Sequence, residues 1–458
     1  MNKKTDGIRW LSLAAALCLL LCLWQGPAAG AEGFQPCHKV QLTKQDTTQK
    51  NGSVIRLWKA ETALSSVDQA LAEITADMVD RLAPTLAKAG NKTNKNSRLE
   101  VGIRYSRTGL RWMSFAVQAR TIYHRGLIGQ ELVTRTYDMV SGERILLTDL
   151  FDADSEGWQL LAEAVETQCQ AYFPDETADP DVLSRLCSQE GLEQLDFTLH
   201  GMRLVLHIPA AQLYAGHAQK DCTLLEVTLM YPDIRPYMTE TAQEETDNAR
   251  YYKMVALTFD DGPARTNTTL VLNSLMEQGC TATFFVIGNR IKDYRDLVQR
   301  EHDEGHSIGY HNWSHANVSK VSASTLRANV KKCDNAMLQA IGRTARYDRV
   351  PYGLYNNMIR AKVGWPYIQW SVDTYDWRGR ATATIMKNIT KQIEDGDIIL
   401  CHDIKDKTPA TATAICQWCM EQGYMLVTVD ELFARDGVTL EPDTCYWHCA
   451  DGETGLKQ

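Results

Sequence analysis

A chain of 458 residues, 44% of them hydrophobic, is long enough for two globular units with sizeable cores. Its formal net charge of −9 excludes a nucleic-acid partner held by counterion release, because no basic field exists to displace cations from phosphate.

Met1 to Ala31 read as a secretory signal. Lys3 and Lys4 supply a positive start, Trp10 to Trp24 an apolar core, and Ala29-Gly30-Ala31 a small-residue cleavage site. The apolar run is shorter than the ~20 residues of a membrane span; an uncleaved N-terminal anchor is the alternative. Thus the protein is expected to be exported, either free or bound to the cell surface.

Residues 32–238 form a first unit of α+β pattern. Leu64, Val67, Leu71, Ile74, Met78, Leu82 and Leu86 recur at helical spacing, and Pro84 and Gly90 mark the expected end of that helix. Alternating runs follow at Leu99 to Tyr105 and Met113 to Val117, and again at Phe197 to Leu199 and Leu204 to Ile208 across Gly201, as in a hairpin. Helical stretches near Trp158 to Tyr172 and Pro180 to Cys187 lie between them. His200, His207 and His217 are scattered and read as ordinary strand or loop residues. Thr239 to Arg250, acidic and without apolar periodicity, reads as a linker.

From Met254 the chain changes character. MVALTFDDGP is a buried parallel strand that ends abruptly in Asp260, Asp261, Gly262 and Pro263. Two adjacent carboxylates at the end of a buried strand are costly without partners. Four further polar clusters follow short apolar runs: His311 and His315 in HNWSH, Arg349 in RVPYG, Asp373, Asp376 and Trp377 in SVDTYDW, and His402 in LCHD. With helical stretches between most of them, these endings predict one site at the C-terminal rim of an α/β barrel.

His311 and His315 are four apart, so on a helical turn both imidazoles face one side. With a carboxylate they make three ligands and leave positions open for water and substrate. Zinc is the default for such a set, with cobalt, nickel or manganese as alternatives.

Eleven cysteines remain outside the signal. Cys416-x-x-Cys419 and Cys445-x-x-x-Cys449 are expected as disulfides tying the C-terminal tail, residues 438–458, to the last helix; a four-thiolate zinc site is the alternative. Cys280 and Cys401 are expected as buried free thiols.

The five blocks TFDDGP, HNWSH, RVPYG, DTYDW and LCH occur in one order, and in that order residues 251–437 resemble the polysaccharide deacetylases, carbohydrate esterase family four, also called the NodB homology domain. The resemblance implies a distorted (β/α) barrel and metal-dependent removal of N-acetyl groups from cell-wall polysaccharide, peptidoglycan N-acetylglucosamine or N-acetylmuramic acid first. It implies Asp261, His311 and His315 as metal ligands, Asp260 as base, His402 as acid and Asp376 as the partner of His402. Arg349 would orient Asp260, and the backbone N–H of Tyr352, held by Pro351, would face the oxyanion. Tyr352 and Trp377 offer flat faces to a sugar ring, while Asp373 is assigned a structural part. TYDMVSGERILLTDLF, FTLHGMRLVLHIP and QLYAG are similar to the extracytoplasmic domain of the lysozyme-sensing anti-sigma factor and of some deacetylases. That resemblance implies a first unit that holds wall polymer or a partner protein. The alternatives are an O-acetyl esterase acting on xylan or a similar glycan, and a binding or sensor protein.

Overall fold

The structure is a computed structural model that describes residues 39–88, 97–124, 126–214, 222–354 and 362–455. The signal at Met1 to Ala31, and with it Cys37, Gly90 and His217, lie outside these residues. No helix among the described residues is long and apolar enough to cross a membrane.

The first unit is α+β. Strands β1 (Gln41–Thr48), β2 (Val54–Glu61), β3 (Ser97–Thr108), β4 (Trp112–Tyr123), β5 (Gly126–Asp138) and β6 (Arg144–Ile145) form one sheet in that order. Helix α1 (Ser65–Lys88) packs on it through Val67, Leu71, Met78 and Leu86, the apolar stripe read from the sequence. The helix does not end at Pro84, which lies inside it on an exposed position. A second core gathers around α2 (Gly157–Ala171) and the antiparallel sheet of β7 (Asp196–Leu199), β8 (Arg203–Pro209) and β9 (Leu224–Met230). The hairpin across Gly201 is the β7–β8 pair, with Leu199 opposite Leu204. His200 and His207 are buried there, each with Nε2 2.9 Å from the Thr198 hydroxyl.

Thr239 to Arg250 connects the two units as packed structure. Short helices span Glu240–Glu245 and Asn248–Tyr251, the first capped by the Thr239 side chain. Asn248 is fully buried; its Oδ1 accepts the Gly109 N–H and its Nδ2 donates to Gly201 O, both at 2.7 Å. Polar side chains, which gave no apolar period, satisfy backbone groups of the first unit here. Arg203 of β8 reaches across to Gly305 O at 2.6 Å and the Met202 N–H to Glu431 at 3.1 Å.

The second unit is a curled parallel sheet. Strand β10 (Lys253–Asp260) is its centre, followed by α3 (Asn267–Gln278), β11 (Thr283–Val286), α4 (Arg295–Asp303), β12 (Ser307–Tyr310), α5 (Ala323–Ile341), β13 (Tyr367–Ile368), β14 (Val372–Asp373), α6 (Thr382–Ile389), β15 (Ile398–His402), α7 (Thr408–Glu421), β16 (Tyr424–Val427), α8 (Val429–Arg435) and β17 (Cys445–Tyr446). The order β12-β11-β10-β15-β14 is parallel throughout. β16 pairs with the first half of β10, from Lys253 to Ala256, and β11 with its last three residues. Single bridges Tyr310–Asp348 and Asp348–Tyr367 carry the curl on to β13, which pairs with β17 of the tail. The architecture is a distorted (β/α) barrel preceded by an α+β unit, which is not smaller than the barrel, contrary to expectation.

Side chains alternate along a strand, and β10 uses both faces. Val255, Leu257 and Phe259 pack under the helices, while Met254 and Ala256 point the other way, toward Phe285, Ile368 and Ile398. Asp260 ends that second face, the interior of the barrel.

The ten described cysteines are all free thiols, which corrects the disulfide expectation. Cys416 and Cys419 are buried in the core between sheet and helices, whereas Cys449 belongs to the interior cluster and Cys445 packs beside Val350 and Tyr367. The spacing is real, but the sheet stands between the two pairs. Cys401 is buried, and Cys280 is half-buried with its Sγ 3.5 Å from Gln278 O.

Candidate active site

All the expected site residues described in the structure lie along the C-terminal rim of the curled sheet, at or after strand ends. Asp260 closes β10 and His402 closes β15, and the two are partners across that strand pair. The ligating atoms of Asp261, His311 and His315 lie within 4.8 Å of one another, the one such cluster among the described residues. His315 Nε2 is 3.1 Å and His311 Nε2 3.5 Å from Asp261 Oδ1.

The two histidines do not meet on a helix. Residues 311–315 form an irregular turn in which Asn312 (φ 58°) and His315 (φ 55°) are left-handed. That turn brings i and i+4 together in place of the helical spacing. His311 starts from the end of β12, its backbone N–H donating to Val286 O at 2.7 Å.

This donor set fits a divalent cation. Asp261 Oδ1 is buried and without a hydrogen-bond donor. His311 Nδ1 lies 2.6 Å from Arg349 O, a carbonyl that only accepts, so the proton sits on Nδ1 and the Nε2 lone pair faces the cluster. Burial pushes the His311 imidazole down to about 3, so it is neutral at ordinary pH. Such a partner carbonyl fixes the tautomer that a metal ligand needs.

The loop carrying Asp261 is pinned from two sides. Arg290 Nη1 donates to Asp261 O and Pro263 O, both at 3.2 Å. Asp403 accepts a short hydrogen bond from Thr268, whose hydroxyl in turn accepts the Ala264 N–H at 2.7 Å. A Cβ on Gly262 would strike the Asp403 carboxylate, so glycine is required there. Burial raises Asp403 to about 7. Neither Arg290 nor Asp403 was singled out from the sequence. Asp403 had one signal, its place directly after His402; Arg290 had none.

Arg349 is fully buried. Its Nη1 lies 2.9 Å from Asp260 Oδ1 and 2.6 Å from Thr258 Oγ1, its Nε donates to Ile368 O at 2.9 Å and its Nη2 to Gln369 O at 2.8 Å. The guanidinium stacks 3.9 Å from the centre of the Phe285 ring. Burial pushes the Asp260 carboxyl up, and the Arg349 charge opposes it; burial likewise pushes Arg349 down. Thr258, two residues before Asp260 on the same strand face, is a further partner that the motif did not indicate.

Across the rim, Asp376 Oδ1 is 2.7 Å from His402 Nδ1, and Asp376 Oδ2 accepts from His402 N at 2.7 Å and Thr408 Oγ1 at 2.8 Å. Burial alone would lower His402, but the Asp376 hydrogen bond and the nearby carboxylates outweigh it and raise the imidazole. Asp376 is lowered: burial raises it, and the His402 and Thr408 hydrogen bonds prevail. Asp373 accepts from the Tyr375 N–H at 2.7 Å, a turn-holding position.

Pro351 is buried while the Tyr352 side chain is 64% exposed, at a left-handed φ of 61°. The Tyr352 ring sits 4.8 Å from that of His315. Trp377 is 46% exposed. One of these flat surfaces lies beside His315, and the other follows Asp376, the partner of His402, in the chain.

A sequence profile described as polysaccharide deacetylase matches residues 247–364. The peptidoglycan-N-acetylglucosamine deacetylase PgdA of Listeria monocytogenes is 38% identical over 191 residues, 42% of this chain and 41% of that protein. The peptidoglycan-N-acetylmuramic acid deacetylase PdaC of Bacillus subtilis is 35% identical over 180 residues, 39% of this chain and 38% of that protein. A peptidoglycan-N-acetylglucosamine deacetylase of Bacillus cereus is 36% identical over 191 residues, 39% of this chain and 69% of that protein. The chain thus spans less than half the length of the Listeria and Bacillus subtilis relatives, and more than two thirds of the Bacillus cereus protein. The profile match takes in Asp260, Asp261, His311, His315 and Arg349, and the chain belongs to the polysaccharide deacetylase family.

Proposed function

We propose that this protein is an exported, metal-dependent hydrolase that removes N-acetyl groups from cell-wall glycan, with peptidoglycan as substrate. The observation that carries this reading is one rim that gathers the Asp261–His311–His315 cluster, the Asp260–Arg349 pair and the Asp376–His402 pair. The names of the relatives support the N-acetylated substrate class.

Asp261, His311 and His315 would hold one divalent cation, zinc by ligand type. When bound, such an ion supplies Lewis acidity and lowers the pKa of a bound water toward ~7. Asp260, next to the cluster with Oδ2 3.8 Å from His311 Nε2, takes the proton from the attacking water. Arg349 keeps Asp260 oriented and its charge compensated. His402, charged through Asp376, hands a proton to the departing amine nitrogen. The Tyr352 N–H, in its left-handed turn after Pro351, faces the oxyanion. Trp377 and the Tyr352 ring flank the sugar. The first unit, docked on the second, would hold wall polymer or a partner protein.

The test is acetate release by the full chain from N-acetylated glycan strands, with chelator and with zinc restored, beside an O-acetylated xylan. Release from the N-acetylated strands that chelator abolishes and zinc restores supports the reading. Faster release from xylan points to the esterase. No release with zinc, cobalt, nickel or manganese overturns hydrolysis and favours a binding protein.

A further inference from the structure

The wall beside His402 carries more than a flat ring. Residues 375–379 make a tight turn in which Tyr375 (φ 53°) and Gly379 (φ 69°) are left-handed. A non-glycine residue held at such an angle costs about 1–3 kcal/mol and clusters at binding sites. The turn is closed by Arg378 N to Tyr375 O at 3.1 Å and Gly379 N to Asp376 O at 2.9 Å, so it springs directly from the residue that grips His402.

Two guanidinium groups lie on its aromatic rings. Arg378 Cζ is 4.7 Å from the Tyr375 ring centre and 4.5 Å from that of Trp377, and Arg380 Cζ is 5.4 Å from Tyr375. Arg378 is exposed and Arg380 half-buried. Neither has a carboxylate within salt-bridge distance among the described residues, in contrast to Arg300 with Glu304 or Arg435 with Asp395 and Asp436. Asp376, the nearest acid in sequence, is taken up by His402 and Thr408, and Asp373 accepts the Tyr375 N–H. A guanidinium resting over an aromatic ring keeps its N–H edges available, and those edges suit bidentate capture of a carboxylate.

Resting on the deacetylase reading, we propose that Arg378 and Arg380 make this wall a carboxylate-binding edge. The preferred glycan then carries a carboxylate on the sugar being deacetylated or on its immediate neighbour. The acetamide of a 2-acetamido sugar sits on C2, and His402 serves its nitrogen. A substituent on the adjoining C3, or on the next sugar along, lies a few bonds from that nitrogen and so within reach of the wall that carries His402. A lactyl ether on C3 and the free acid of an attached peptide both supply the required group.

The test uses the full zinc-loaded chain and three glycans of equal length: neutral N-acetylglucosamine oligomers, alternating strands with free lactyl carboxylates, and the same strands with those carboxylates amidated. A fourth, carrying a short peptide with a free terminal acid, separates the two carboxylate sources. The wild-type chain should favour the free-carboxylate strands in kcat/KM. R378Q/R380Q should reduce that preference about tenfold, mainly through KM, with Lys at both positions restoring part of it and added salt eroding it. Calorimetric binding of the same glycans to chelated protein reads the edge without turnover. If acetate appears but the double variant slows all glycans alike, or amidation changes nothing, the proposal is overturned while the deacetylase reading stands. If no acetate appears from any glycan, the deacetylase reading falls, and a carboxylate-dependent binding difference between wild-type and variant still upholds the edge.

Discussion

Asp376 holds His402 at two points, through the imidazole Nδ1 and through the backbone N–H, each at 2.7 Å. The double grip fixes both where the ring sits and which nitrogen faces the rim. Nδ1 is turned toward Asp376, so Nε2 is the nitrogen left for the proposed proton transfer.

The pH dependence follows from that pair. His402 is raised above its ordinary 6.5, and in the proposed mechanism its charged form is the proton donor. The donor is therefore present below the raised pKa and lost as pH rises through it. Asp376→Asn removes the anion that raises the ring, so the alkaline limb of kcat/KM should move to lower pH. The maximal rate should fall about 10²-fold or more, within the range of a positioned acid. A pH–rate profile whose alkaline limb does not move would refute the assignment.

Arg349→Gln should damage both chemistry and fold. The change leaves Asp260 buried without its counter-charge, and breaking one side of a buried pair typically costs about 3–5 kcal/mol. It also frees the Ile368 and Gln369 carbonyls. Thermal unfolding should drop markedly. The residual activity should require higher pH, because burial then raises Asp260 unopposed. An unaltered melting temperature would sink the structural half of this account.

The cluster around Asp261 predicts linkage between zinc and stability. A ligand that binds only the folded chain stabilises it by about 2.7 kcal/mol at a hundredfold excess over its Kd. Zinc titration should raise the melting temperature of the wild-type protein. His315→Ala should abolish most of that rise and lower the metal content after dialysis. His315 is a suitable probe, since its side chain is 29% exposed and contributes little to the core.

Asn248→Ala should destabilise the docking of the two units. It removes the side chain that accepts the Gly109 N–H and donates to the part-buried Gly201 C=O, and losing such a buried hydrogen-bond partner costs about 1–3 kcal/mol. Hydrogen exchange at the Gly109 amide should speed up before exchange at β10 does. Equal acceleration everywhere would argue against a local role.

Much of the catalytic half was legible because its strands are buried on both faces. MVALTFD reads as a continuous apolar run, and each polar cluster begins where such a run stops. The N-terminal helix was legible in period, and its end was not. Pro84 is tolerated on an exposed face, so a local breaker signal failed. The His311–His315 pair was found by spacing for the wrong reason: two left-handed residues, invisible in composition, do what a helix was expected to do. The cysteines misled because chain spacing says nothing about which side of a sheet a thiol faces. Arg290 and Asp403 escaped because they act on backbone and loop, where no residue pattern marks them.

The pairing of β17 with β13 has a practical consequence. Tyr367 N donates to Thr444 O at 2.8 Å and Gln369 N to Tyr446 O at 2.7 Å, while the carbonyls of Ile368 and Gln369 clasp Arg349. Shortening the chain at Gly437, where the family's motifs have already ended, would peel a supporting strand from the far side of the very peptide groups that steady Arg349 and, through it, the proposed base Asp260. A trimmed enzyme would then look inactive through slack in its scaffold, with every signature side chain still in its sequence.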